Sequence, residues 1–101
     1  MAKKKDTLTL DEVRKYVQLH QSFHYTEKVN VEVLAKELGV KKLDLWEFIL
    51  NNELYFVIKD TRNIDSGEVI ARFIKEVLEE PMSMEELFHM KRENEGILGL
   101  R

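Results

Sequence analysis

The sequence predicts a small α+β domain, mostly α, and three observations carry that prediction. Cap residues followed by apolar side chains at three- and four-residue spacing mark four helical segments. A single glycine separates the second from the third, and one β-branched, aromatic run leads into a polar stretch rich in turn residues. A chain of 101 residues, 44% apolar and 35% charged, has material for one core under a solvated surface, and this balance excludes a disordered protein.

Residues 1–7, with the run Lys3, Lys4, Lys5, are read as a flexible basic tail, and residues 8–101 as a single domain. The first helix is predicted to begin at Leu10, with Thr9 and Glu12 as a capping box and Leu8 stapled onto Val13. Leu10, Val13 and Val17, with Tyr16, Leu19 and Phe23 one strip over, give an inner face extending to about Phe23, after which Tyr25-Thr26-Glu27-Lys28 forms a connection. A short second helix opens at Asn30, buries Val31, Leu34, Ala35 and Leu38, and stops at Gly39, the residue best suited to a left-handed helix end. The third runs from Lys42 to Asn51 and buries Leu45, Phe48 and Ile49.

Leu54-Tyr55-Phe56-Val57-Ile58 reads as a strand that ends at the polar stretch from Lys59 to Gly67. Residues 68–80 admit two readings. As a strand, 68–74 pairs back on 54–59 in a hairpin. As a helix, Asp65 and Glu68 cap a stripe of Ile70, Phe73, Ile74, Val77 and Leu78. A lone strand leaves its backbone ladder unsatisfied, which favours the hairpin. The last helix starts at a Ser83/Glu86 capping box with Met82 and Leu87 as its staple. Its expected inner face is Met84, Leu87 and Phe88, and it continues to Asn94. Beyond Gly96 lies an apolar tail of Ile97, Leu98 and Leu100.

Composition narrows the function. The absence of cysteine removes disulfides and thiolate zinc sites. No apolar run approaches the roughly 20 residues that span a bilayer, and Met1 to Asp6 lack a signal peptide's apolar stretch, so the cytoplasm is the expected compartment and a membrane is not an expected partner. Net charge is −3, which disfavours bulk attraction to nucleic acid. Residues 1–52 hold nine Lys/Arg and eight Asp/Glu, whereas residues 53–101 hold seven and eleven, so any nucleic-acid surface is expected in the first half.

The stretch Val31-Glu32-Val33-Leu34-Ala35-Lys36-Glu37-Leu38-Gly39-Val40-Lys41-Lys42-Leu43-Asp44-Leu45-Trp46-Glu47-Phe48-Ile49 resembles the helix-turn-helix superfamily. Ala35 is small where two helices cross, Gly39 turns the chain, Val40 plugs the angle, and Leu45 and Phe48 face Leu34 and Leu38. With a helix before it and a hairpin after it, the chain resembles a winged helix-turn-helix with an additional C-terminal helix. The resemblance implies DNA binding through the second helix of the motif, with Lys41, Lys42, Asp44, Trp46 and Glu47 in the major groove and Arg62 and Asn63 at the tip of the wing.

The residue chemistry departs from that pattern. Base edges and phosphates call for Arg, Lys, Asn, Gln or Ser, and only a cytosine amino group suits Asp44 or Glu47. The alternative is a helix-turn-helix used as a protein-interaction module without DNA binding, through Leu43, Trp46, Ile97 and Leu98. Trp46 reads equally as a packed core residue. Pairing of the apolar tail and the last helix across a two-fold axis would make a homodimer.

An enzyme is not expected, and neither is a cofactor. His20 and His24 stand one helical turn apart, a spacing that chelates metals. However, Gln21 sits where a metalloprotease motif needs Glu, and the sequence offers no evident third ligand, so the pair is read as solvated or half-buried. His89 lies on a charged helix as a surface residue. Gly96 and Gly99 follow a helix and do not open one, so there is no phosphate loop.

Overall fold

The computed structural model describes residues 8–94, so the basic tail and Ile97, Leu98 and Leu100 lie outside the described residues. In chain order the elements are α1 (Leu10–His24), β1 (Val29–Asn30), α2 (Val31–Leu38), α3 (Lys42–Asn51), β2 (Phe56–Arg62), β3 (Val69–Val77) and α4 (Met84–Asn94). Among the described residues, four α-helices thus accompany one antiparallel three-stranded sheet of order β1-β3-β2. Among the described residues, no helix is long and apolar enough to cross a membrane.

Local chemistry sets the helix ends. The Thr9 hydroxyl accepts the Glu12 amide at 3.1 Å, and α1 begins at the next residue, Leu10. Asn30 Oδ1 accepts the amides of Glu32 and Val33, which satisfies two of the four free N–H groups at the start of α2. Gly39 ends α2 at φ 76°, and Val40 N–H then returns to the Ala35 carbonyl at 3.0 Å. Ser83 and Glu86 form a reciprocal box, each amide bonded to the other's side chain, at 3.0 and 3.1 Å. The α1 terminus has a less favourable device, Tyr25 in the left-handed region at φ 52°.

Val13 and Val17 of α1, Leu34, Ala35 and Leu38 of α2, Leu45 and Ile49 of α3, and Phe56, Ile74 and Val77 of the sheet form one buried core. Removing the Val, Leu, Ile and Phe side chains among these from water contributes about 1.5–3 kcal/mol each, and this burial holds α2 and α3 against α1 and the sheet. Phe48 is only half-buried, and its ring meets the Phe56 ring edge-on at 6.3 Å.

Several expectations change. Leu19 and Phe23 do not continue the inner face of α1: they are 57% and 81% exposed, because after Val17 that face passes to His20 and Gln21. The Gln21 amide donates to the carbonyls of Glu27 and Lys75 there, work that neither apolar residue could do. On α4, Met84 and Phe88 are exposed and the inner strip is Leu87, Met90 and Asn94. The strand predicted at 54–58 begins two residues later, since Glu53–Tyr55 form a 3-10 turn whose Leu54 and Tyr55 carbonyls accept the amides of Met82 and Leu78. Within residues 68–80 the chain forms a strand, β3, which starts at Val69, extends past the predicted 68–74 to Val77 and pairs with both neighbours.

Polar residues continue β2 through Lys59, Asp60, Thr61 and Arg62, and this is the largest departure from expectation. Lys59 and Thr61 are exposed, while Asp60 and Arg62 turn inward beneath α4. The free edge of β2 is closed by α4 in place of a fourth strand. Asn94 Oδ1 accepts the Asp60 amide, its Nδ2 donates to the Ile58 carbonyl, both at 3.0 Å, and Met90 Sδ receives the Ile58 amide.

Candidate functional site

The outer face of α3, the helix that follows Gly39, is a surface the fold leaves exposed. Its N-terminus is Lys41, whose side chain makes no cap bond, so the first turn presents Lys41, Lys42 and Leu43 together. Burial of Leu45 and Ile49 fixes the helix rotation and turns Leu43, Glu47 and Leu50 outward along one line. Leu43 is 76% exposed and Leu50 50% exposed, two turns apart, or roughly 10 Å at 1.5 Å per residue. Lys42 Nζ lies 3.9 Å from a Glu32 carboxylate oxygen, and Asp44 is half-buried on the flank.

Trp46 stands between the two readings made from sequence. It is partly buried against the core, and the Arg72 guanidinium covers its ring at 4.5 Å from the centroid. Arg72 reaches it from β3, and across the ladder Arg72 opposes Asp60, with Nε and Oδ1 3.8 Å apart. Trp46 therefore lines a cleft of about 220 Å³ between α3, the sheet and α4, with Leu50, Ile58, Asp60, Met90 and Asn94 around it.

Arg62, expected at the hairpin tip, is instead the last residue of β2, and its side chain is 18% exposed. Its Nε donates to the Asn94 carbonyl at 2.9 Å and a terminal nitrogen to the Gly67 carbonyl at 2.8 Å, with Asp60 3.8 Å away. The guanidinium ties α4 to the turn. Asn63 does lie in the turn, but as its builder: Oδ1 accepts the amides of Asp65 and Ser66, and its backbone exchanges bonds with Glu68 and Gly67. The exposed tip that follows carries Ile64, Asp65, Ser66 and Glu68. The structure thus leaves Lys41, Lys42 and Leu43 exposed at the start of α3 with Glu47 one turn on from Leu43, leaves Asp44 and Trp46 half-buried, sets Arg62 in the cleft that Trp46 lines, and puts Asn63 in the hairpin turn. Ile97 and Leu98 lie outside the described residues.

Sequence reasoning missed Leu50 as a surface residue, although its place seven residues after Leu43 was a usable signal. It also missed Arg14, whose guanidinium donates to the carbonyls of Val77 at 3.0 Å and Leu78 at 2.6 Å and pins the end of β3 to α1. A third omission is Glu37. His20 Nδ1 lies 3.0 Å from Glu37 Oε2, so the histidine pair of α1 does meet a carboxylate, supplied by α2.

The chain matches no family model, no curated protein and no solved structure in the comparisons made.

Proposed function

We propose that the chain is a winged helix-turn-helix domain that acts as a protein-interaction module, with the outer face of α3 as its contact surface. The winged-helix reading is supported by two helices joined at Gly39, a helix before them, and the β2-β3 hairpin after them with β1 on the far side of β3. The observation that carries the interaction reading is the stripe Leu43, Glu47, Leu50. Two leucines about half to three-quarters in water gain by leaving it, at roughly 25 cal/mol per Å² of apolar surface. A DNA groove offers them little beyond a thymine methyl, and it repels the carboxylate between them. A partner with an apolar strip and a basic group opposite Glu47 complements the face.

DNA binding is the second reading. It is favoured by Lys36, Lys41 and Lys42, all exposed around the turn, since phosphates call for cations. The hairpin adds little to it, because the tip offers Asp65 and Glu68 and the Arg62 guanidinium is engaged within the fold.

Chain immobilised as wild type and as the double variant Leu43→Asp/Leu50→Asp separates the two readings. Both positions are exposed, so far-UV circular dichroism is expected to be unchanged. The interaction reading predicts a binding protein that wild type retains and the variant loses, together with no retention of mixed-sequence duplex DNA at low salt. Duplex DNA held by both forms, and released by Lys41→Ala/Lys42→Ala, would establish the second reading instead.

A further inference from the structure

We propose that His20, His24 and Glu37 form a binding site for a divalent transition-metal ion, with Zn²⁺ the ion that best fits the donors. The two histidines occupy one face of the last turns of α1, with ring centroids 4.3 Å apart. Glu37 approaches the same point from α2, and one donor atom from each of the three groups lies within 4.8 Å of the others. Ligands at 2.0–2.2 Å around a tetrahedral ion stand roughly 3.4 Å apart, so small side-chain rotations close the set.

The groups differ in how firmly they are held, and that difference matters for binding. His20 is the anchor, its side chain 12% exposed and its Nδ1 3.0 Å from Glu37 Oε2. His24 has ring contacts with His20 and Phe23 and, among the described residues, no hydrogen bond through its ring nitrogens, which leaves a lone pair available to a cation. Two neutral imidazoles and one carboxylate suit a borderline-soft ion, whereas Ca²⁺ and Mg²⁺ prefer oxygen donors throughout. Three protein ligands leave a fourth position for water. The bound ion links the end of α1 to α2, so binding should stabilise the fold.

Zinc titration of the full chain by calorimetry, in a non-chelating buffer, tests the site, and Co²⁺ absorbance reports coordination number. One ion per chain is expected, and at a hundredfold excess over Kd the unfolding midpoint should rise by roughly 10–20 °C. His24→Ala should weaken binding more than tenfold and abolish the four-coordinate cobalt spectrum, and Glu37→Gln should weaken it about tenfold. His24 is exposed, so its variant should fold as wild type does, and His89→Ala should bind as wild type does. Absence of zinc binding by the wild-type chain would overturn the proposal, as would zinc affinity that survives His24→Ala.

Discussion

The side chain of Asn94 stands where a fourth strand would otherwise pair. Its amide offers one acceptor and one donor at the spacing of a peptide group, and both are used on the edge of β2, at the Asp60 amide and the Ile58 carbonyl. Asn94→Ala leaves those two part-buried groups without protein partners, a loss of about 2 kcal/mol. Urea denaturation should show a lower midpoint at unchanged slope. A variant as stable as wild type would mean that water serves that edge equally well. Roles of this kind are not written in local sequence. The same holds for Arg62, which reads as a free wing cation until the Asn94 and Gly67 carbonyls stand beside it. Glu37 lies 17 residues from His20, so no spacing rule pairs them.

Elements were more legible than residues, because the signals that end a helix act within four residues. Thr9, Asn30, Gly39 and the Ser83/Glu86 box lie where sequence alone puts them, and each makes the bond expected of it. Gly39→Ala tests the most demanding of these positions. A Cβ at φ 76° collides with the backbone, so a loss of about 1–2 kcal/mol is expected. Thermal unfolding should register it as a midpoint lower by roughly 4–16 °C. Gly39→Asn, which tolerates the left-handed region, should lose less. The strands were legible only in part. Period-two alternation persists through Lys59, Asp60, Thr61 and Arg62, but the inward positions are charged, and charge there reads as loop unless α4 is known to cover it. Two-residue β1 owes its existence to β3, through Val29 opposite Ile74 and Asn30 opposite Phe73.

Across the whole molecule, one core joins three helices to the sheet, α4 adds Leu87 and closes the edge, and α3 keeps its outer side in water. The charge imbalance between the two halves has a structural counterpart: Asp65 and Glu68 occupy the hairpin tip and Glu85 and Glu86 the first turn of α4, while Lys36, Lys41 and Lys42 surround the turn between α2 and α3. The helix-turn-helix expected from sequence points to DNA, but fold alone does not decide function. Solvent exposure of Leu43 and Leu50, on either side of Glu47, is what shifts the proposal toward a protein partner. Amide spectra of the ¹⁵N-labelled chain, recorded while duplex DNA of mixed sequence is added at about 50 mM salt, test that choice most directly. With a protein as the partner of α3, resonances of residues 41–51 are expected to stay in place. Shifts concentrated at Lys41, Lys42 and Glu47 that fade as salt rises to about 200 mM would contradict it.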